Sequence, residues 1–194
     1  MFTKKSSLKK LLSVALLSVS LWAFTGCLFI NTTDKNDTDS TQQTGSSTET
    51  LSINGSWASS FDELYIIDTA AKTFDAGTYS YAGNEMVIDF TDKTSGYIYI
   101  KYTRAYEETE DDKSSDSSWT KSSYTSSYYR YSTTAPDVGK WYAIAFKDLT
   151  ATSVSLSGAY GSVSSTVTLT EAKSTFTIEN KYFGFYSDCI KQTN

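Results

Sequence analysis

The chain has 194 residues, with 17 Lys and Arg against 22 Asp and Glu, a formal charge of −5 and 39% hydrophobic residues. It has no His and two Cys. That excludes histidine-based catalytic triads, zinc sites with His ligands and any framework of several disulfides. An acidic balance also argues against nucleic acid as a partner, because that ligand rewards basic patches.

The N-terminal segment carries Lys4, Lys5, Lys9 and Lys10 and no acid, and an apolar run from Leu11 to Phe24 follows. A basic start before an apolar stretch of this length predicts a secretory signal, too short and too Ser-rich for a settled transmembrane helix. The run ends in Phe24-Thr25-Gly26-Cys27. This tetrapeptide resembles the bacterial lipobox, in which a diacylglyceryl group is attached to the Cys and cleavage falls just before it. Phe24 departs from the Leu usual at its position. The resemblance implies a signal peptide over 1–26, a lipid on Cys27 and a chain held at a bacterial membrane. The other reading is an ordinary signal peptide with a chance Cys. Leu28 is not Asp, so the retention signal that keeps some lipoproteins at the inner membrane is absent. That points to the outer membrane, at its periplasmic face or the cell surface.

Cleavage removes four of the 17 basic residues and none of the 22 acidic ones, so the charge falls from −5 to about −9. Cys189 is then the only thiol left, and no disulfide forms within one molecule. It reads as a small buried residue or as a free thiol for an intermolecular bond.

Residues 27–52 hold the candidate lipidated Cys and then a run of Ser, Thr, Asp and Asn that has too little apolar surface to order itself. As a flexible tether it holds a domain roughly 25 Å from its anchor. Residues 53–194 suffice for one domain with one core.

In this domain strand patterns recur at short spacing. Leu64-Tyr65-Ile66-Ile67 is one apolar run. Thr78–Tyr81 and Met86–Phe90 flank Ala82-Gly83-Asn84-Glu85, a hairpin pattern in which Met86, Ile88 and Phe90 share a face. In Tyr97–Tyr102 the core face is Ile98, Ile100 and Tyr102, because Lys101 marks the other as wet. Residues 105–134 break the rhythm. An acidic block with Glu107, Glu108, Glu110, Asp111, Asp112 and Asp116 precedes a Tyr- and Ser-rich stretch. This predicts an elongated hairpin or long insertion whose acidic part, residues 105–123, is mobile. Weak divalent-ion binding is the alternative reading of the block.

Strands resume with Trp141–Phe146, where Tyr142, Ile144 and Phe146 share a face, and with Val154–Ser157. Thr168-Leu169-Thr170-Glu171 has capping-box spacing and predicts a short helix through Ala172 and Lys173. Phe176–Ile178 and Tyr182–Tyr186 read as the last strands. The fold class is therefore all-β: a single small antiparallel barrel of about eight strands with one short helix near the C-terminus, or alternatively a β-sandwich.

Two Gly-x-Trp triplets stand out, Gly55-Ser56-Trp57 and Gly139-Lys140-Trp141. A Trp is large and flat enough to plug a barrel, and a Gly lets the backbone turn beside it. Both resemble the lipocalin signature, in which such a triplet closes one end of an eight-stranded barrel. The family's Thr-Asp-Tyr turn and its late Arg over the Trp are absent, and Lys191 is the nearest cation at the end. Trp141-Tyr142-Ala143 and Tyr186-Ser187-Asp188-Cys189 are similar to segments of spirochaete lipoproteins that carry a lipocalin-like domain. The resemblance implies barrel closure by Gly55, Trp57, Gly139 and Trp141.

Two functions compete. One is a membrane-tethered, monomeric binding module for a small apolar or amphipathic ligand, by analogy of fold. The other is a surface interaction protein that meets a host or envelope partner through its Tyr-rich insertion. An open apolar interior favours the first and a packed one the second. No constellation of side chains supports an enzyme, a metal site or a cofactor.

Overall fold

Apolar residues at every second position drive strand formation, and a run of short strands with half-apolar faces must close on itself or stack. The computed structural model describes residues 51–193. The expected signal peptide, Cys27 and most of the tether lie outside the described residues. The strands are β1 (Gly55–Ser59), β2 (Leu64–Asp68), β3 (Thr73–Asp75), β4 (Ala82–Phe90), β5 (Gly96–Thr109), β6 (Thr120–Lys121), β7 (Tyr128–Ser132), β8 (Trp141–Lys147), β9 (Ser153–Gly158) and β10 (Ser187–Gln192). The helix α1 (Leu169–Thr175) falls between β9 and β10.

β1 to β5 pair in chain order, β8 follows on β5, and β9 and β10 lead back to β1, all antiparallel. The result is a closed eight-stranded barrel with one short helix near the C-terminus. The sandwich alternative is set aside, because the ring leaves no free edge.

β5 serves two structures. Its first half, Gly96–Lys101, pairs with β8 in the barrel, and its second half, Ala105–Thr109, pairs with β7. β6 adds to β7, so a three-stranded ribbon continues from the wall. The insertion is thus the expected elongated hairpin. Its acidic part is not the loop anticipated throughout, since Glu107 and Glu108 stand in the β5–β7 ladder opposite Arg130 and Tyr129.

The interior is filled by side chains. Trp57, Ile67, Phe74, Ile98, Ile100, Ile144, Phe146 and Leu156 are almost wholly buried in one cluster. The expected faces of β5 (Ile98, Ile100, Tyr102) and β8 (Tyr142, Ile144, Phe146) both point inward. A second cluster covers the outside of these two strands, where Ala172, Phe176 and Phe183 pack on Tyr99, Ala143 and Ala145. The small Ala side chains let the helix approach. Its N-terminus carries the predicted capping box: the Glu171 N–H donates to the Thr168 hydroxyl at 3.2 Å, and the Thr168 N–H donates to the Glu171 carboxylate at 2.9 Å.

Two sequence expectations are corrected. Ala82–Glu85 is not a turn but the start of β4, with register shifts on either side of Gly83 and Asn84 and a positive φ of 50° at Glu85. Gly83 is required by close packing, since a Cβ there would lie 2.7 Å from the Ile100 Cβ. Phe90, the last residue of β4, is half exposed and meets Phe146 edge-on. The real turn is residues 76–81, where the Asp75 carboxylate accepts the Gly77 N–H at 2.7 Å. Residues 176–186 form no strand. Phe176, Tyr182 and Phe183 cover the barrel wall, and the last strand is β10.

Candidate functional site

A meander places its turns alternately at two ends. One end gathers residues 51–54, 69–72, 91–95 and 148–152. Ile53, Trp57 and Leu149 pack there in the interior cluster, and the indole N–H of Trp57 donates to the Ile53 carbonyl at 2.8 Å. Lys191, paired directly with Trp57 across β1 and β10, holds its ammonium 5.1 Å from the ring centre. Gly55 has φ 132°, and a Cβ on it would meet the Lys191 stem at 2.8 Å.

The second triplet is placed differently. Gly139 is a turn residue with φ 84° and open space where a Cβ would be. Trp141 is half-buried in the outer cluster and makes two backbone hydrogen bonds with Thr166, at 2.8 and 2.9 Å. Trp141 therefore does not line the barrel. Strand alternation decides this, since Tyr142 points inward and its neighbour must point out.

The other end is open. A cleft of about 710 Å³ lies between the turns at residues 60–63 and 76–81 and the segment after β9. Tyr65, Tyr81 and Leu156 form its floor, because each belongs to the interior packing and also faces the cleft. Tyr79, Tyr160 and Phe185 stand at its rim, 91%, 55% and 74% exposed. Tyr160 and Phe185 meet edge-on with ring centres 4.9 Å apart.

The floor continues into a chain of aromatic rings. Tyr81 stacks on Phe74 at 5.8 Å and meets Tyr142 edge-on at 5.1 Å, and Tyr142 stacks on Tyr102 at 4.9 Å. The Tyr142 hydroxyl donates to the Ala159 carbonyl at 2.8 Å. Gly158 makes room for it: a Cβ there would lie 2.6 Å from that oxygen. Burial raises the pKa of Tyr65, Tyr81, Tyr102 and Tyr142 well above the ordinary phenol value; at Tyr65 the Glu63 carboxylate adds to this. These hydroxyls stay protonated.

Among the described residues, Asp62 and Glu63 supply the only charged side chains that line the cleft. Asp62 sits at φ 61°, and Glu63 accepts from the Ser59 hydroxyl at 2.9 Å. Arg104 is held by the turn at residues 76–81. Its guanidinium donates to the Ser80 and Gly77 carbonyls at 2.6 and 2.7 Å and pairs with Asp75 at 2.9 Å, which fixes the turn.

Cys189 is buried in the interior, and burial, with the carboxylates of Glu63 and Asp188, pushes its thiol up to about 11. The ribbon has its own small order. Arg130 pairs with Glu107 at 2.6 Å and lies 4.4 Å over the Trp119 ring, while Tyr124 is 96% exposed. Among the described residues no group of Cys, Asp and Glu is placed to hold a metal ion. None of the helices described is long and apolar enough to cross a membrane.

The sequence reading selected the glycines and tryptophans of the two triplets and missed the cleft. Thr78-Tyr79-Ser80-Tyr81 read as a strand, although a tyrosine pair so close to Gly77 is also what a rim turn contains. No protein-family model, curated protein or solved structure matches the chain.

Proposed function

We propose that the domain is a binding module, carried behind a lipid on Cys27 at a bacterial membrane, that holds a small apolar or amphipathic ligand at the open end of its barrel. The observation that carries this reading is the cleft of about 710 Å³ floored by Tyr65, Tyr81 and Leu156. Its size falls in the usual range for small-molecule sites, and it combines apolar rings with a few fixed polar groups. The packed interior limits the reading: the ligand sits at the mouth and does not reach the depth of Trp57. Native mass spectrometry of the purified full-length protein tests it. A small molecule that travels with the wild type and is lost when Tyr160→Ala and Phe185→Ala together strip two exposed rings from the rim supports the reading. Retention of the same adduct by that variant counts against this site.

The interaction-protein reading has one observation of its own. The ribbon projects Tyr106 and Tyr124 into solvent and holds Trp119 between Arg130 and Lys113, as a recognition surface would. The cleft is favoured because it is the more capacious concavity, about 710 Å³, and is built on the wall of the barrel.

A further inference from the structure

The mouth cleft joins three features that no single structural need explains. Its rim keeps three large aromatic rings in water, Tyr79, Tyr160 and Phe185. Among the described residues its charged lining is Asp62 and Glu63, with no Lys or Arg. The guanidinium of Arg104 is engaged by Asp75 and by the backbone carbonyls of Gly77 and Ser80. Aromatic faces attract cations, and the attraction grows as water is excluded. The carboxylates of exposed Asp62 and part-buried Glu63 add to it and repel anions. The tyrosine hydroxyls of the floor stay neutral, so they add no charge.

We propose that the cleft selects a cationic amphiphile, an alkylammonium or quaternary ammonium group with a short hydrocarbon body. The ammonium rests among Tyr79, Tyr160 and Phe185 within reach of Glu63 and Asp62. The hydrocarbon lies on Tyr65, Tyr81 and Leu156. An alkyl carboxylate of the same length would bring its anion against Glu63 with no cation to pair it, so fatty acids are disfavoured. This proposal rests on the ligand-binding reading above and adds the charge of the ligand to it.

The test compares three probes of equal chain length on the full-length protein by isothermal titration calorimetry: hexyltrimethylammonium, hexan-1-ol and hexanoate. The ammonium probe is expected to bind at least tenfold more tightly than hexanoate, with the alcohol between them. Asp62→Asn and Glu63→Gln, separately and together, should shrink that ratio to about threefold or less and leave the alcohol unchanged. Asn tolerates the left-handed backbone at position 62, so the first variant keeps the fold even where the second loosens the Ser59 contact. If hexanoate binds as well as the ammonium probe, the charge selection is wrong and the ligand-binding reading stands. If none of the three binds at millimolar concentration, both fail.

Discussion

Lys191 lies over the ring of Trp57, its ammonium 5.1 Å from the ring centre, on the side where Gly55 has no side chain. The two residues are direct partners across β1 and β10, the pair of strands that closes the barrel. The lysine stem covers the indole, and the charge reaches the end of the barrel. One contact therefore seals that end and ties the first strand to the last.

Trp57→Ala should be the most damaging truncation among the three described tryptophans. The side chain has no exposed surface and its N–H is bonded to Ile53, so loss on the order of 3–5 kcal/mol is expected. Trp141, half-buried on the outer wall, should cost less, and Trp119 on the ribbon least of all. Urea denaturation monitored by circular dichroism ranks them. Gly55→Ala should cost roughly 1–2 kcal/mol through its backbone conformation. That cost should persist when Lys191→Ala removes the overlapping stem. Full relief in the double variant would show that crowding, and not the positive φ, is what Gly55 avoids.

Alkali should unfold the domain from within. Tyr65, Tyr81, Tyr102 and Tyr142 have folded pKa values raised chiefly by burial. In the unfolded chain they titrate near 10. Their contribution to stability is full below about pH 10. It is lost as the pH rises further, because the unfolded chain releases protons that the native core retains. Absorbance at 295 nm should show part of the 15 tyrosines ionising near pH 10 and the rest only together with loss of the near-UV dichroism. Reversible titration of all of them with that dichroism intact would contradict the buried network.

Cys189 should be inert while the domain is folded. Its thiol is 1% exposed and pushed up to about 11, so little thiolate exists at pH 8 and reagents have no access. In full-length protein carrying Cys27→Ala, a thiol-reactive chromophore should label it slowly in buffer and at once in denaturant. Fast labelling of the folded chain would place Cys189 at the surface. The same variant tests the anchor by detergent phase partitioning, where wild type should enter the detergent phase and the variant should leave it.

Much of the barrel was legible because its strands alternate cleanly. Ile98 and Ile100, like Tyr142, Ile144 and Phe146, announce their faces in the sequence, and Thr168 with Glu171 announces the helix. The start of β4 was not legible, because Gly83-Asn84 is as good a turn as it is a bulge, and only the approach of Ile100 decides between them. Trp141 misled for a related reason. Its Gly-x-Trp pattern is local, whereas its direction is set by the inward face of Tyr142. The cleft lay further out of reach. Residues from 62–65, 76–81, 156–160 and 185–187, with Tyr131, meet there from five parts of the chain, and no spacing along the sequence records such a meeting.

The ribbon should be removable without loss of the barrel. Its root must stay: Ala105 is buried in the interior cluster, and Arg104 braces the turn at residues 76–81. Beyond the root, Thr109 and Tyr128 face each other as the last registered pair of β5 and β7. A two-residue Asn-Gly turn is the favoured link between such partners. Replacing residues 110–127 by Asn-Gly removes β6, Trp119 and most of the acidic block, and it retains the Glu107–Arg130 ion pair. The urea midpoint should then move little, by the equivalent of about 0.5 kcal/mol, as expected for a change away from the core. Binding of hexyltrimethylammonium should be unchanged, because no residue from 110 to 127 lines the mouth cleft. Collapse of the barrel on this deletion would mean that the ribbon is part of the folding core. Loss of ligand with the barrel intact would move the binding site from the mouth to the ribbon and favour the interaction reading instead.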